Sequence, residues 1–279
     1  MTLDIAQAYK AQPELGLNHP LFPTEWRAKV PFEIKQSRYI IKTASNLQEF
    51  GEVIKLRTDV FLKEFAQTED EERVDIEARD LEADFLIIKD ARDDVVLASY
   101  RLICSDFSED FYSKSEFSID QFLAAPGRKL ELSRACVRAD RRTSGIFVHL
   151  LWRGLAEYIG RTQSKYLFGC SSIQTLDLKQ IVQVYRFLQQ ETAFSDDFSI
   201  RALADYALFD VENLKALGAS EAQSLSDQLL PPILAGYLKA GAKIYGTPAY
   251  DQDFNCLDLF TILDFEDLSA AHLRKYLQS

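Results

Sequence analysis

Apolar residues recur three and four apart after Asn46, at Leu47, Phe50, Val53, Ile54, Val60 and Phe61, and this spacing predicts an amphipathic helix. Asn46 followed by Glu49 adds a capping pair at its start. The preceding residues contain Pro13, Pro20, Pro23 and Pro31 and hold no period, so residues 1–42 read as an irregular arm. The pattern then becomes strand-like. Residues 84–90 (DFLIIKD) and 95–103 (VVLASYRLI), joined by a turn at 91–94, predict a hairpin. Beyond Pro126 and Gly127, residues 130–138 (LELSRACVR) form a strand, and a helix over 145–159 carries Ile146, Leu150, Leu151, Leu155 and Tyr158. A strand at 166–172, a helix at 176–190 and a helix at 229–238 that opens on two prolines follow. Late strands lie in 243–251 and 256–265, and a closing helix covers 266–278. Helices and strands mix without repeat or linker, which predicts one α/β domain over 43–279 behind the arm.

Ionic residues interrupt these apolar patterns. Arg57 lies on the stripe that holds Val53, Ile54, Val60 and Phe61, where it either snorkels to the rim or meets a buried partner. Arg101 stands between Tyr100 and Leu102 in the second hairpin strand. In 130–137, alternation sends Leu130, Leu132, Arg134 and Cys136 to one face and Glu131, Ser133, Ala135 and Val137 to the other, so both faces mix apolar and polar groups. The loop that follows supplies Arg138, Arg141 and Arg142 and ends at Gly145 as a helix starts. Free N–H groups and guanidinium charge there suit a phosphate.

The chain of 279 residues has a net charge of −11, against a nucleic-acid binder, which needs cations to displace phosphate counterions. The charge is uneven. Residues 128–165 hold nine Lys or Arg and three acids, whereas residues 64–84 hold ten acids and two arginines, which is either two solvated faces or a basic entry beside an acidic pocket. Four scattered cysteines predict free thiols in a reducing compartment. The absence of a signal-like start or a long apolar run predicts a cytoplasmic protein. Three dispersed histidines and unclustered cysteines predict no metal site, and no G-x-S-x-G elbow is present.

The segment E-L-S-R-A-C-V-R-x-x-x-R-x-x-x-G followed by L-L-W-R-G-L-A-E-Y resembles the motif of the ornithine–acyl-carrier-protein N-acyltransferase family of the GNAT superfamily. L-R-T-D-V-F (56–61), D-F-L-I-I-K-D with A-S-Y-R-L (84–102), F-Y-S-K-S-E-F (111–117), L-F-G-C-S-S (167–172), L-P-P-I-L-A-G-Y-L-K-A-G-A (230–242) and G-T-P-A-Y-D-Q-D-F-N-C-L-D (246–258) extend the likeness in order. The skeleton is also similar to acyl-homoserine-lactone synthases and N-acyl amino acid synthases. Two departures stand out. Ser133 replaces a common glycine, and Phe147 takes a marked position of the superfamily's phosphate loop, where its bulk would crowd a coenzyme A pyrophosphate more than a carrier-bound pantetheine phosphate.

The resemblance implies a GNAT-like mixed sheet flanked by helices and transfer of a long-chain, 3-hydroxy or plain, acyl group to the α-amine of ornithine or another amino acid. It implies no permanently bound cofactor. An acyl-phosphopantetheine thioester on acyl carrier protein, or acyl-CoA, is the donor. Glu131 is the expected base, with a structural ion pair to Arg134 or Arg101 as its other reading. Arg134, Arg101 and Arg57 are expected to form a network with Asp75, Asp80 or Glu131, and with Phe61 and Ser133 to shape the acceptor pocket. Backbone N–H groups around Cys136 and Val137 would receive the thioester oxygen, and Arg138, Arg141, Arg142 and Gly145 the phosphate. Expected partners are acyl carrier protein, for which the basic stretch is the dock, and an amino acid, with peripheral contact at the inner membrane. Lactone synthesis, CoA-dependent acetylation and a non-catalytic acyl-binding scaffold are the alternatives.

Overall fold

The computed structural model describes residues 19–68, 70, 73–142, 145–191, 193–207 and 230–267. In chain order these form β1 (Glu33–Gln36), β2 (Tyr39–Thr43), α1 (Leu47–Arg57), β3 (Asp84–Asp90), β4 (Val95–Cys104), β5 (Phe117–Ser118), α2 (Asp120–Ala124) and β6 (Lys129–Val137). There follow α3 (Ile146–Thr162), β7 (Tyr166–Ile173), α4 (Leu178–Gln190), β8 (Phe194–Ser195), β9 (Arg201–Ala202), α5 (Pro232–Ala240), β10 (Lys243–Tyr245), β11 (Ala249–Asp251) and β12 (Cys256–Asp264). The chain divides into two units, Met1–Glu109 with Leu132–Gln163, and Asp110–Glu131 with Ser164–Ser279. Both are mixed α/β.

In the first unit β1, β2, β3 and β4 pair antiparallel in that order, and the Leu132–Val137 part of β6 adjoins β4. The β3–β4 hairpin matches its alternating sequence. The β1–β2 hairpin does not match the irregular arm read over 1–42. β1 is short and alternates only between exposed and half-buried residues, so it shows no hydrophobic period of its own, and it takes its order from pairing with β2. The first 18 residues of the arm lie outside the described residues. α3 approaches the sheet closely at Gly154. A Cβ there would fall 2.5 Å from Leu86 Cδ1 and 2.8 Å from Ile41 Cγ2, inside contact distance.

Asn46 caps α1 as the sequence predicts, its Oδ1 accepting the Glu49 N–H at 2.9 Å. The winding changes after Arg57. Thr58–Phe65 forms a π-helix, with the Ala66 N–H bonded to the Phe61 carbonyl at 2.9 Å, where the periodicity predicts an unbroken α-helix. Both residues at the change reach out of the helix. Thr58 Oγ1 accepts the Asp75 N–H at 3.0 Å, and Arg57 pairs with acids of the same segment.

In the second unit the Lys129–Glu131 part of β6 pairs parallel with β7, and β7 pairs antiparallel with β12 through eight residue pairs. β10 and β11 both pair antiparallel with β12, and β8 completes the row beside β10. α4 buries Ile181, Val184 and Leu188 in a core with Ile173, Leu234, Ile244, Leu257 and Leu259. A second core is aromatic, with Phe122 edge-on to Phe168, Phe198 and Phe260. The helix predicted over 229–238 is α5, starting at Pro232; Leu229 and all but the first two residues of the predicted closing helix lie outside the described residues.

Candidate active site

The arginines flagged in the sequence meet in the first unit. Arg57 and Arg101 have no solvent exposure. Arg57 donates from Nε to Asp75 at 3.1 Å and from Nη1 to Asp80 Oδ1 at 2.8 Å, and Arg101 reaches that same oxygen at 2.9 Å. Asp80 Oδ2 accepts the Glu77 N–H at 2.8 Å, which closes a capping box on the turn Ala78–Glu82. Arg101 Nε donates to Ser133 Oγ at 2.9 Å. Nearer the surface, Arg134 pairs with Glu77 at 2.8 Å and Asp75 at 3.3 Å, its guanidinium lying over Phe61 at 5.2 Å. Snorkelling is therefore not the role of Arg57.

Asp75, Glu77 and Asp80 together face the guanidiniums of Arg57, Arg101 and Arg134, with Arg79 also on Glu77, so every buried charge of the network has opposite charge beside it. That balance makes burial tolerable, since isolated charges would cost several kcal/mol each, roughly, in such a place. Burial pushes the Asp75 carboxyl up, but Arg57, Arg134 and Arg101 outweigh it and hold it well below the usual carboxylate range. Asp80 is lowered by the same opposition of burial to Arg57 and Arg101. Both acids are committed to arginines. Sequence reasoning missed Glu77, which also meets Arg101 at 3.4 Å and Arg79 at 3.0 Å; it lies two residues past Asp75 in the same acidic run.

Arg134 has a left-handed backbone, φ 53°, within a strand. For a side chain of this size that conformation costs about 1–3 kcal/mol and marks a place where surroundings dictate geometry. Cys136, buried nearby in sequence, has its thiol pushed up to about 12, chiefly by burial, so it is a packed thiol and not a nucleophile. Val137 offers its carbonyl to Arg142 Nε at 2.8 Å.

In the basic loop, Arg138 forks onto Asp140 at 3.0 and 2.9 Å, and Arg141 meets the same carboxylate at 3.2 Å. Arg142 pairs with Glu64 through both terminal nitrogens. All three remain about one-third exposed. Gly145 caps α3, and a Cβ built there meets nothing within 4 Å among the described residues. Phe147 corrects an expectation. Its side chain is buried and stacks edge-on with Tyr39 at 5.5 Å, so it is a core residue and does not crowd the loop.

Glu131 belongs to the second unit. It is fully buried, and its two oxygens accept the backbone N–H groups of Tyr112 and Ser113, each at 2.7 Å. Register places it beside Phe168 of β7, whose same face carries Cys170 and Ser172. β12 sets Phe260 opposite Cys170 and Asp258 opposite Ser172, and β11 sets Asp251 opposite Cys256. One face of this sheet thus carries a row of polar and acidic groups. Asp251, Cys256 and Asp258 hold ligand-type atoms within 4.8 Å of one another, all buried. An acid inside the apolar run C-L-D-L-F is the same signal that marked Arg101, and it could have found Asp258.

Residues 56–153 match the acetyltransferase (GNAT) domain family. L-ornithine N(alpha)-acyltransferase of Rhizobium meliloti (strain 1021) is 29% identical over 213 residues, covering 72% of this chain and 70% of the relative. Its counterpart from Rhodobacter capsulatus is 28% identical over 250 residues, covering 85% and 94%. Among solved structures, the AHL synthase LasI superposes with a TM-score of 0.47 at 14% identity, covering 88% of this chain and 97% of that one. With residues 56–153 matching the GNAT domain family and most of its length similar to L-ornithine N(alpha)-acyltransferases, this chain is an acyltransferase.

Proposed function

We propose that this acyltransferase moves a long-chain fatty acyl group, 3-hydroxylated or plain, from a pantetheine thioester on acyl carrier protein to the α-amine of ornithine, the first step of an aminolipid pathway. The attacking amine forms the amide bond, the C–S bond breaks, and the carrier leaves as a thiol. A thioester is already activated, so positioning, proton removal and oxyanion stabilisation are the tasks left.

The buried Arg57–Asp80–Arg101 assembly with Arg134 at its rim is the observation that carries this reading. Such burial needs a positional purpose, and a guanidinium fork at the rim suits the acceptor's carboxylate. Phe61 and Ser133 fix the forks of Arg134 and Arg101. Glu131, held by the N–H groups of Tyr112 and Ser113, accepts the amine proton directly or through one water; a free α-amine titrates near roughly 7.7–8.0, so a modest base is enough. Backbone N–H groups at Cys136 and Val137 receive the thioester oxygen. Arg138, Arg141 and Arg142 beside the start of α3 take the donor phosphate and the acidic carrier. The amphiphilic product fits work at the inner-membrane surface.

Because Phe147 is packed away from the loop, acyl-CoA stands as a second donor. Incubation with long-chain acyl-carrier and acyl-CoA thioesters and a panel of amino acids, read by product mass, tests the reading. Amide product with ornithine is expected; no amide with any amine overturns it.

A further inference from the structure

The second unit holds a cluster of buried acids of its own. Glu116 is fully buried; among the described residues its oxygens lack a donor in strict hydrogen-bond geometry, while the Tyr112 hydroxyl and the Cys170 thiol approach closely enough to favour its charged form. The charges of Asp258 and Asp251 bear on it. Asp258 already accepts from Ser172 Oγ at 2.5 Å and from the Cys256 thiol at 3.5 Å, and Asp251 Oδ1 accepts the N–H groups of Asp253 and Phe254. The cluster is continuous with the proposed base: Cys170 feels Glu116, Asp258 and Glu131, and its thiol lies 3.6 Å from Ser113 Oγ, on the residue whose N–H holds Glu131.

Resting on the reading above, we propose that Glu116, with Asp258 and Asp251, binds the side-chain ammonium of a diamino-acid acceptor. Three buried carboxylates, with the Glu116 oxygens held only loosely, form a deficit of positive charge that a compact ammonium with three N–H donors fills. Without that cation, burial and Asp258 push the Glu116 carboxyl up to about 9, so it holds a proton at neutral pH; the groups around it are Asp258, Asp251, Tyr112, Cys170, Cys256 and Tyr206. The arriving ammonium displaces that proton to the buffer, leaving a carboxylate–ammonium pair. A metal ion suits the set less well, because burial and the neighbouring acids keep the Cys256 thiol protonated.

Calorimetric titration of the full chain with L-ornithine and with L-norvaline, which lacks the δ-amine, tests the subsite. The wild type should bind ornithine roughly 10- to 100-fold more tightly, the scale of a charge-assisted hydrogen bond. Titrations in buffers of different ionisation enthalpy should show release of roughly one proton per ornithine. Glu116→Gln, an isostere of the protonated acid, should keep its fold and norvaline affinity while losing both the preference and the proton; Asp258→Asn should weaken the preference. An unchanged preference in Glu116→Gln, or none in the wild type, overturns the subsite. Tight binding of Mn2+ or Zn2+ alone that Glu116→Gln removes overturns it in favour of a metal. Turnover separates the two readings: selective ornithine binding without amide formation from either thioester refutes the acyltransfer to ornithine and leaves the subsite standing.

Discussion

Asp80 Oδ1 accepts from Arg57 and Arg101 together, at 2.8 and 2.9 Å, so one buried oxygen joins the end of α1 to the middle of β4. Asp80→Asn removes the charge that two buried guanidiniums share. Loss of about 3–5 kcal/mol is expected, the range for breaking a buried ion pair, read as a lower midpoint in urea at unchanged slope.

The same network sets an acid limit. Asp75 and Asp80 titrate below their ordinary range in the folded protein, so their contribution is complete above the unfolded carboxylate value and fades as pH falls through the lowered ones. Stability measured from neutral pH downward should fall below about pH 4, and Asp80→Asn should flatten that fall.

Glu116 gives the opposite slope. Its folded value is raised, so its share of stability is complete at acid pH and is lost as pH climbs toward about 9. Glu116→Gln should gain stability over the wild type progressively across that climb. A pH-independent difference between the two would refute the raised carboxyl.

Glu131→Gln would turn an amide NH2 toward one of the two N–H donors at Tyr112 and Ser113. About 1–3 kcal/mol of stability should go with the lost acceptor. Product formation should fall at every pH, whereas a purely bracing role would leave kcat unchanged at temperatures where the variant stays folded.

At the basic loop, Arg141→Glu with Arg142→Glu should raise the KM for an acyl-carrier donor and weaken its dependence on salt. Glu64→Ala should move KM the other way, because Arg142 then loses its resident carboxylate. Steady-state kinetics at two ionic strengths reads both signs.

Much of this was legible in the chain. Strong periods at β3, β4, α3, β7 and β12 announce themselves, and Arg57, Arg101 and Arg134 stand out because a cation within apolar spacing must be compensated. Compensation by Glu77 was hidden, since one acid among the ten of residues 64–84 carries no positional signal. β1 is too short and too exposed to show a period. Phe147 reads as a loop obstacle in one dimension, yet the turn into α3 rotates its ring onto Tyr39.

The wide winding of Thr58–Phe65 carries its own consequence. Each residue of an ordinary helix advances the chain by about 100°, so deleting one residue to restore regular coiling would swing every later side chain by that angle. Phe61 would then leave its seat beneath Arg134. Chain length in this short stretch is thus as strictly constrained as the identity of any arginine it serves.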